Sequence, residues 1–330
     1  MARPMRSIVI ATLASLSLTA CSSGPEPSPP RPVAASTREQ APAPEPVPPL
    51  PPATYPAPAR LVAIGDIHGD VSAFRSVLRL AGAIDETSHW CGGALVVVQT
   101  GDVLDRGDDE PEILDLIAQL ETEAAAAGGR FIALNGNHEI MNAQRDFRYV
   151  TPEGFTDFAP FRAEASREAR SELPTDQEGR AGAFEPGRRH ARAFAARNTV
   201  VVVGNTVFAH GGLAPRYAQL GLERINQAAR DFYLGEGPLS PILQAQDSPV
   251  WNRSYAVGEA PEMCTELDES LAVIHAERMV IGHTVHDEGI GSACNAHVWR
   301  IDVGLAELYG GPIEALEIVG NDVRVLHGER

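Results

Sequence analysis

The chain has 330 residues, of which 44% are hydrophobic and 22% charged, an ordinary globular balance with room for one large domain or two small ones. Acidic residues outnumber basic ones 44 to 27, and the net charge of −17 argues against non-specific nucleic-acid binding, which needs a basic surface. All 27 cations are arginine, which excludes a P-loop lysine, a Schiff-base lysine and the Ser-Lys type of hydrolase.

The first elements in chain order are addresses. Arg3 and Arg6 precede an apolar run from Ile8 to Leu18. That run is shorter than the roughly 20 residues a mature membrane span needs, so residues 1–20 read as a secretory signal. The segment Leu18-Thr19-Ala20-Cys21 resembles a bacterial lipobox, which implies cleavage before Cys21 and lipidation of its thiol; an ordinary signal peptide with an incidental cysteine is the alternative. Ser22 after the cysteine resembles the pattern sorted to an outer membrane, so the expected location is the periplasmic face of that membrane, with the lipidated Cys21 as the membrane partner. Residues 25–59 hold 14 of the 26 prolines. Such a stretch forms neither helix nor sheet ladder, and reads with Cys21 as an extended tether over 21–59. The folded domain is expected over 60–330. Of the remaining cysteines, Cys91, Cys264 and Cys294, one must stay free or pair externally, and Cys264–Cys294 is the expected disulfide.

From residue 60 a pattern repeats. Leu61–Ile64 runs into Gly65-Asp66-Ile67-His68-Gly69-Asp70, Ala94–Val98 leads to Gly101-Asp102-Val103-Leu104-Asp105-Arg106-Gly107, and Phe131–Leu134 leads to Gly136-Asn137-His138-Glu139. Short apolar runs closed by glycine read as buried strands. Helical patterns at about 71–80 and 110–127 separate them, giving the βαβ units of a parallel sheet. Ligands bind beyond the carboxyl ends of such strands, and each of these ends carries metal-ligand side chains after a glycine. Residues 140–198 are Arg- and Glu-rich and read as a helical insertion, with helices at about 160–172 and 188–197. Arg188, Arg189 and Arg192 there could meet an anionic substrate or line a solvated helix face. Further on, a hairpin at 199–209 delivers His210, and Arg278–Ile281 delivers Gly282-His283. Strands are also expected at 297–303 and in a hairpin at 313–327.

The motifs GDIHGD, GDVLDRG, GNHE, AHGG and GHT, in that order, resemble those of the calcineurin-like metallophosphoesterases, in the forms of the phosphoprotein phosphatase branch. The segments Val250–Arg253, Trp299–Val303 and Tyr309-Gly310-Gly311 are most similar to the Shewanella-like protein phosphatases. The resemblance covers nearly all of 60–312. It implies an α/β fold of two packed mixed β-sheets flanked by helices. It implies a phosphomonoesterase acting on phosphoserine, phosphothreonine or phosphotyrosine in proteins. A nucleotide or dinucleoside polyphosphate hydrolase uses the same motifs, and a catalytically silent envelope lipoprotein is a third reading.

The same resemblance implies two divalent metal ions, Mn²⁺ first, with Fe or Zn as alternatives. Asp66 and His68 hold one, Asp102 bridges, and Asn137, His210 and His283 complete the other. A water between the cations attacks phosphorus with no covalent intermediate. His138 acts as general acid with Asp105 orienting its ring, Arg106 grips the phosphoryl oxygens, and Arg253 is the candidate second arginine. The tyrosine that the main eukaryotic phosphatases place over the site has no clear match, and the Asp302–Tyr309 segment replaces that region. The remaining histidines, His89, His190, His275, His297 and His327, read as surface or structural residues, His286 and Glu288 as loop residues, and Asp70 and Asp108 as caps or turns.

Overall fold

The computed structural model describes residues 49–330; the signal segment, Cys21 and the tether as far as Pro48 lie outside the described residues. The fold begins ahead of Arg60. Thr54–Tyr55 forms a short strand, β1, whose two residues pair in parallel with Val202 and Val203. The flanking prolines hid it, yet a two-residue edge strand needs few ladder donors and tolerates proline on either side.

Next come β2 (Leu61–Ile64), α1 (Val71–Leu80), β3 (Val96–Gln99), α2 (Glu110–Ala126) and β4 (Arg130–Ala133). Asp70 caps α1 by accepting the Ala73 N–H at 2.8 Å, which gives the second aspartate of GDIHGD its place. After β4 comes α3 (Asn137–Ala143), which leads into the insertion with α4 (Pro152–Asp157), a 3₁₀ turn at Ala159–Glu164, α5 (Arg167–Glu172), α6 (Glu178–Phe184) and α7 (Arg189–Phe194). Helix α6 escaped the sequence pattern because it contains Gly179 and Gly182, which weaken a helix. Both are needed: a Cβ at Gly179 or Gly182 would overlap the carbonyl of Phe158 or Phe161.

The second half supplies β5 (Val200–Val203), β6 (Thr206–Ala209), α8 (Pro215–Leu220), α9 (Leu222–Leu234), α10 (Pro241–Gln244), α11 (Pro261–Ile274), β7 (Arg278–Ile281), β8 (Gly291–Ala293), β9 (Val298–Arg300), β10 (Glu314–Val319) and β11 (Asp322–His327). Cys264 on α11 and Cys294 after β8 form the expected disulfide, their Cα atoms 5.4 Å apart, and Cys91 is free and exposed.

The strands make two mixed sheets, ordered β11-β10-β2-β3-β4 and β1-β5-β6-β7-β9-β8. Within them β2, β3 and β4 run parallel, as do β6, β7 and β9. Alternate residues fill the space between the sheets: Leu61, Ala63, Val98 and Ile132 from one meet Val201, Phe208, Val280 and Ile301 from the other. The intervening Val62, Ile64 and Val97 face the helical layer with Phe74, Ile113 and Ile117. Burial on both faces explains why these strands read as unbroken apolar runs. The architecture is the two-sheet, helix-flanked sandwich expected.

Candidate metal centre

Each sheet sends three parallel strands toward one crevice. Beyond β2, β3 and β4 lie Asp66 and His68, Asp102, and Asn137 with His138; beyond β6, β7 and β9 lie His210, His283 and Asp302. The sheets are stitched together here: the His283 N–H faces Asp66 Oδ1 and Oδ2 at 3.2 and 3.1 Å. Within the second sheet the Gly282 N–H donates to the His210 carbonyl at 2.8 Å. Gly282 and Gly136 make the approach possible, because a Cβ would overlap a carboxylate oxygen of Asp66 or Asp102. His68, Asp102, Asp105, Arg106 and His283 all have φ between 49° and 73°, the left-handed region that non-glycine residues rarely adopt. Such strain gathers where side-chain direction is set by function.

All six expected ligands converge. His210 Nε2 lies 2.8 Å from Asn137 Oδ1, 3.1 Å from His283 Nδ1 and 3.1 Å from Asp102 Oδ2. On the other side, His68 Nε2 lies 3.9 Å from both Asp66 Oδ2 and Asp102 Oδ2. Asp102 Oδ2 is thus common to both groups. His68 Nδ1 and His210 Nδ1 face the carbonyls of Leu104 (2.9 Å) and Thr100 (3.1 Å), which fixes each Nδ1 as the donor and turns a bare Nε2 lone pair inward. Acceptor then faces acceptor between His210 Nε2 and the oxygens of Asn137 and Asp102, an arrangement that a cation between them relieves. The donors are carboxylate, amide oxygen and imidazole without thiolate, and their mutual distances suit neighbours on a cation with bonds of about 2.0–2.2 Å.

The electrostatics agree with metal-ligand chemistry. Burial pushes His68 down to about 3, and burial with the neighbouring His210 pushes His283 down to about 2, so both rings are neutral at ordinary pH. Asp102 is buried, yet the imidazoles of His210, His138 and His68 outweigh that and hold its carboxyl well below the usual range. Asp66 is raised well above it by burial and by the charges of Asp302 and Asp102.

His138 stands edge-on to His68, their rings 4.7 Å apart, close enough for distance alone to group it with His68 and Asp102. Its Nδ1 is otherwise engaged, and its Nε2 faces the cleft. Nδ1 meets Asp105 Oδ2 at 2.5 Å, and Nε2 lies 3.3 Å from Arg106 Nη2. Burial lowers the pKa of His138, but the carboxylates of Asp102 and Asp105 more than offset it, leaving the ring above an ordinary histidine. The Arg106 guanidinium lies between two tyrosine rings, 4.7 Å from the centre of Tyr149 and 5.3 Å from that of Tyr309, and it donates to the Tyr309 hydroxyl. Arg253 is exposed at the rim, held by the His283 carbonyl and Thr284 Oγ1, each at 2.8 Å. The cleft these residues line has a volume of about 60 Å³.

These observations decide the family. The chain belongs to the calcineurin-like phosphoesterases. The family model matches residues 59–286. The chain is 38% identical over 297 residues to Shewanella-like protein phosphatase 2 of Arabidopsis thaliana, covering 80% of this chain and 76% of that one. It is 31% identical over 266 residues to Shewanella-like protein phosphatase 1 of Plasmodium berghei, covering 77% and 69%. A solved cold-active protein tyrosine phosphatase superposes with a TM-score of 0.69 at 25% identity over 84% of this chain and 78% of that one. This calcineurin-like phosphoesterase is a phosphoric monoester hydrolase, and its family implies divalent metal ions.

Several further residues of the site were given no role of their own by the sequence. Glu139, the last residue of GNHE, accepts the backbone N–H groups of Gly136 (2.7 Å), Asp102 (3.0 Å) and Val103 (3.0 Å) and so locks two strand ends together. Asp302 is buried, with Oδ1 on the Gly304 N–H. Tyr309 brings an aromatic hydroxyl over the site, and Tyr149 comes from the insertion. Arg188, Arg189 and Arg192 do not line the cleft. His190 is packed among Phe158, Phe161 and Phe184, with ring centres 5.4, 5.4 and 5.0 Å away. His89, His297 and His327 each face a carboxylate, of Glu123, Asp268 and Glu314.

Proposed function

We propose that this chain is a dinuclear metal-dependent phosphoprotein phosphatase. Asp66 and His68 would hold one cation, Asn137, His210 and His283 the other, and Asp102 both. Two divalent cations there, Mn²⁺ in first place, would supply Lewis acidity toward the phosphoryl group and toward water. The protein's own groups do the rest. Arg106 and Arg253 bind the phosphoryl oxygens, and the Tyr309 hydroxyl holds the Arg106 fork in place. His138 delivers its Nε2 proton to the ester oxygen as the phosphorus–oxygen bond breaks, while water forms the new bond to phosphorus. Asp105 keeps Nδ1 protonated and stabilises the cationic ring. No covalent intermediate is needed: among the described residues lining the cleft there is no Ser, Thr or Cys.

The observation that carries this reading is the 2.5 Å contact of His138 Nδ1 with Asp105 Oδ2, which leaves Nε2 facing the cleft beside the Arg106 fork. A binding-only protein has no use for an oriented acid beside a phosphate clamp. The cleft is small, and it is lined in part by Tyr149 and Val285, with exposures of 42% and 36%. That favours a phosphorylated side chain presented on a protein over a dinucleoside polyphosphate, which would bring several phosphates to a cleft lined by two arginines. The names of the relatives support the same class. We also propose that the enzyme acts at the outer membrane, anchored through Cys21; Cys21→Ser should move it from the membrane to the soluble fraction. The substrate reading is tested by assaying the Mn²⁺-loaded protein side by side on p-nitrophenyl phosphate, a phosphopeptide panel and diadenosine tetraphosphate. Phosphopeptide turnover that disappears in His138→Ala supports it, and hydrolysis of the dinucleotide alone would overturn it.

A further inference from the structure

Behind Asp105 the insertion places a fully buried arginine. Arg180 on α6 has no solvent exposure, and each of its five N–H donors has an acceptor. Nε donates to Asn142 Oδ1 at 2.6 Å, and Nη1 to Glu110 Oε2 at 2.5 Å and the Gly154 carbonyl at 3.0 Å. Nη2 donates to Asp105 Oδ1 at 2.9 Å and Glu110 Oε1 at 2.8 Å. The rings of Phe158 and Phe184 lie 5.2 and 5.1 Å from the guanidinium.

The acceptors are not scattered. Asn142 donates to the same Asp105 Oδ1 at 2.9 Å, with its amide oriented by Arg180 and by the His138 carbonyl. Glu110 Oε1 also accepts the backbone N–H of Asp105 at 2.5 Å, where φ is 69°. Arg180 therefore fixes Asp105 three ways: directly, through Asn142, and through the carboxylate that holds its backbone in a strained conformation. The consequence falls on the other carboxylate oxygen, Oδ2, which faces His138 Nδ1.

A purely structural role fits this poorly. A buried charge network is weak evidence for stability, since apolar side chains of similar volume often do as well or better. This one instead converges on the residue that orients the acid.

We propose that Arg180 is a positioning residue for the His138–Asp105 pair, so that the insertion sets the geometry of proton delivery. The proposal rests on His138 being the general acid. Its signature is leaving-group dependence: an ester with a good leaving group needs little proton transfer, one with a poor leaving group needs much. The test uses the full chain loaded with Mn²⁺. The variants are Arg180→Lys, which keeps charge but loses the fork, Glu110→Gln, His138→Ala, and Phe194→Leu as a destabilised control within the insertion. We would measure kcat and KM on p-nitrophenyl phosphate and on a phosphoserine peptide, metal content, and melting temperature.

Arg180→Lys should keep two metals per chain and its KM for p-nitrophenyl phosphate. Its kcat on the phosphoserine peptide should fall about 10-fold or more beyond any loss on p-nitrophenyl phosphate, part of the 10²–10⁴-fold that general acids supply. Glu110→Gln should show the same bias to a smaller degree. Phe194→Leu should melt lower with no bias. Equal loss on both substrates, no loss, or loss of metal in Arg180→Lys would overturn the proposal. If Arg180→Lys does not fold, Glu110→Gln decides by the same criterion. If His138→Ala itself shows no bias, it is the acid assignment that fails, and this inference with it.

Discussion

Asp102 accepts the backbone N–H of His138 on Oδ1 at 2.9 Å, while its Oδ2 is the oxygen shared by the two ligand groups. One carboxylate thus ties the acid to the metal centre. Gly136 is what lets it reach both, since a Cβ there would overlap Asp102 Oδ1. Gly136→Ala should therefore abolish metal binding and turnover, although the residue carries no chemistry. Its φ of −97° suits alanine, so the loss would come from the overlap and not from backbone strain. Metal analysis of the folded variant checks this.

The sandwich of Arg106 between Tyr149 and Tyr309 predicts how phosphate binds. Arg106→Ala should raise the inhibition constant of inorganic phosphate by about 10–100-fold, the scale of a hydrogen bond to a charged group at about 1.5–3 kcal/mol. Tyr309→Phe, which removes only the hydroxyl on Arg106, should have a smaller effect in the same direction. Titrating phosphate against p-nitrophenyl phosphate turnover gives both values.

His138→Ala should slow turnover by on the order of 10²–10⁴-fold on a phosphoserine peptide and by less on p-nitrophenyl phosphate. The pH dependence has a definite sign. An acid works only while protonated, and Asp102 and Asp105 hold this ring above an ordinary histidine. Turnover of poor leaving groups should fall as pH rises through a value above about 6.5, and His138→Ala should remove that limb. A kcat profile on the phosphoserine peptide tests it.

The legible part of this site is local. Glycine, carboxylate and imidazole follow the strands within a few residues, so the motifs mark these residues and the family resemblance supplies their expected roles. What the sequence left without a role is held by distant partners. Arg180 meets Asp105 across 75 residues and Glu110 across 70, and nothing in either neighbourhood marks the other. Asp302 and Tyr309 enter the site only because β9 lies beside β7 and the chain then folds back over His68. Helix α6 was hidden by the two glycines that its packing requires, and β1 by the prolines around it.

His190 supplies a pH prediction remote from the metals. Burial among the phenylalanines, aided by Arg189, lowers it to about 4. The unfolded chain binds this proton near pH 6.5 and the folded one does not. The neutral-histidine contribution to stability is therefore complete above about pH 6.5 and lost as pH falls toward 4. His190→Phe, which keeps the ring packing and cannot titrate, should flatten that part of the profile. Denaturant midpoints of both proteins between pH 4 and 7 measure it.

The central claim is that one carboxylate joins two cations beside an acid that is not a ligand. It is tested most directly by counting metal ions per chain, by elemental mass spectrometry, in the wild-type protein and in Asp102→Asn and His138→Ala. The account predicts two in the wild type, two in His138→Ala, and a loss of both in Asp102→Asn. Two metals retained in Asp102→Asn, or metal lost from His138→Ala, would contradict it.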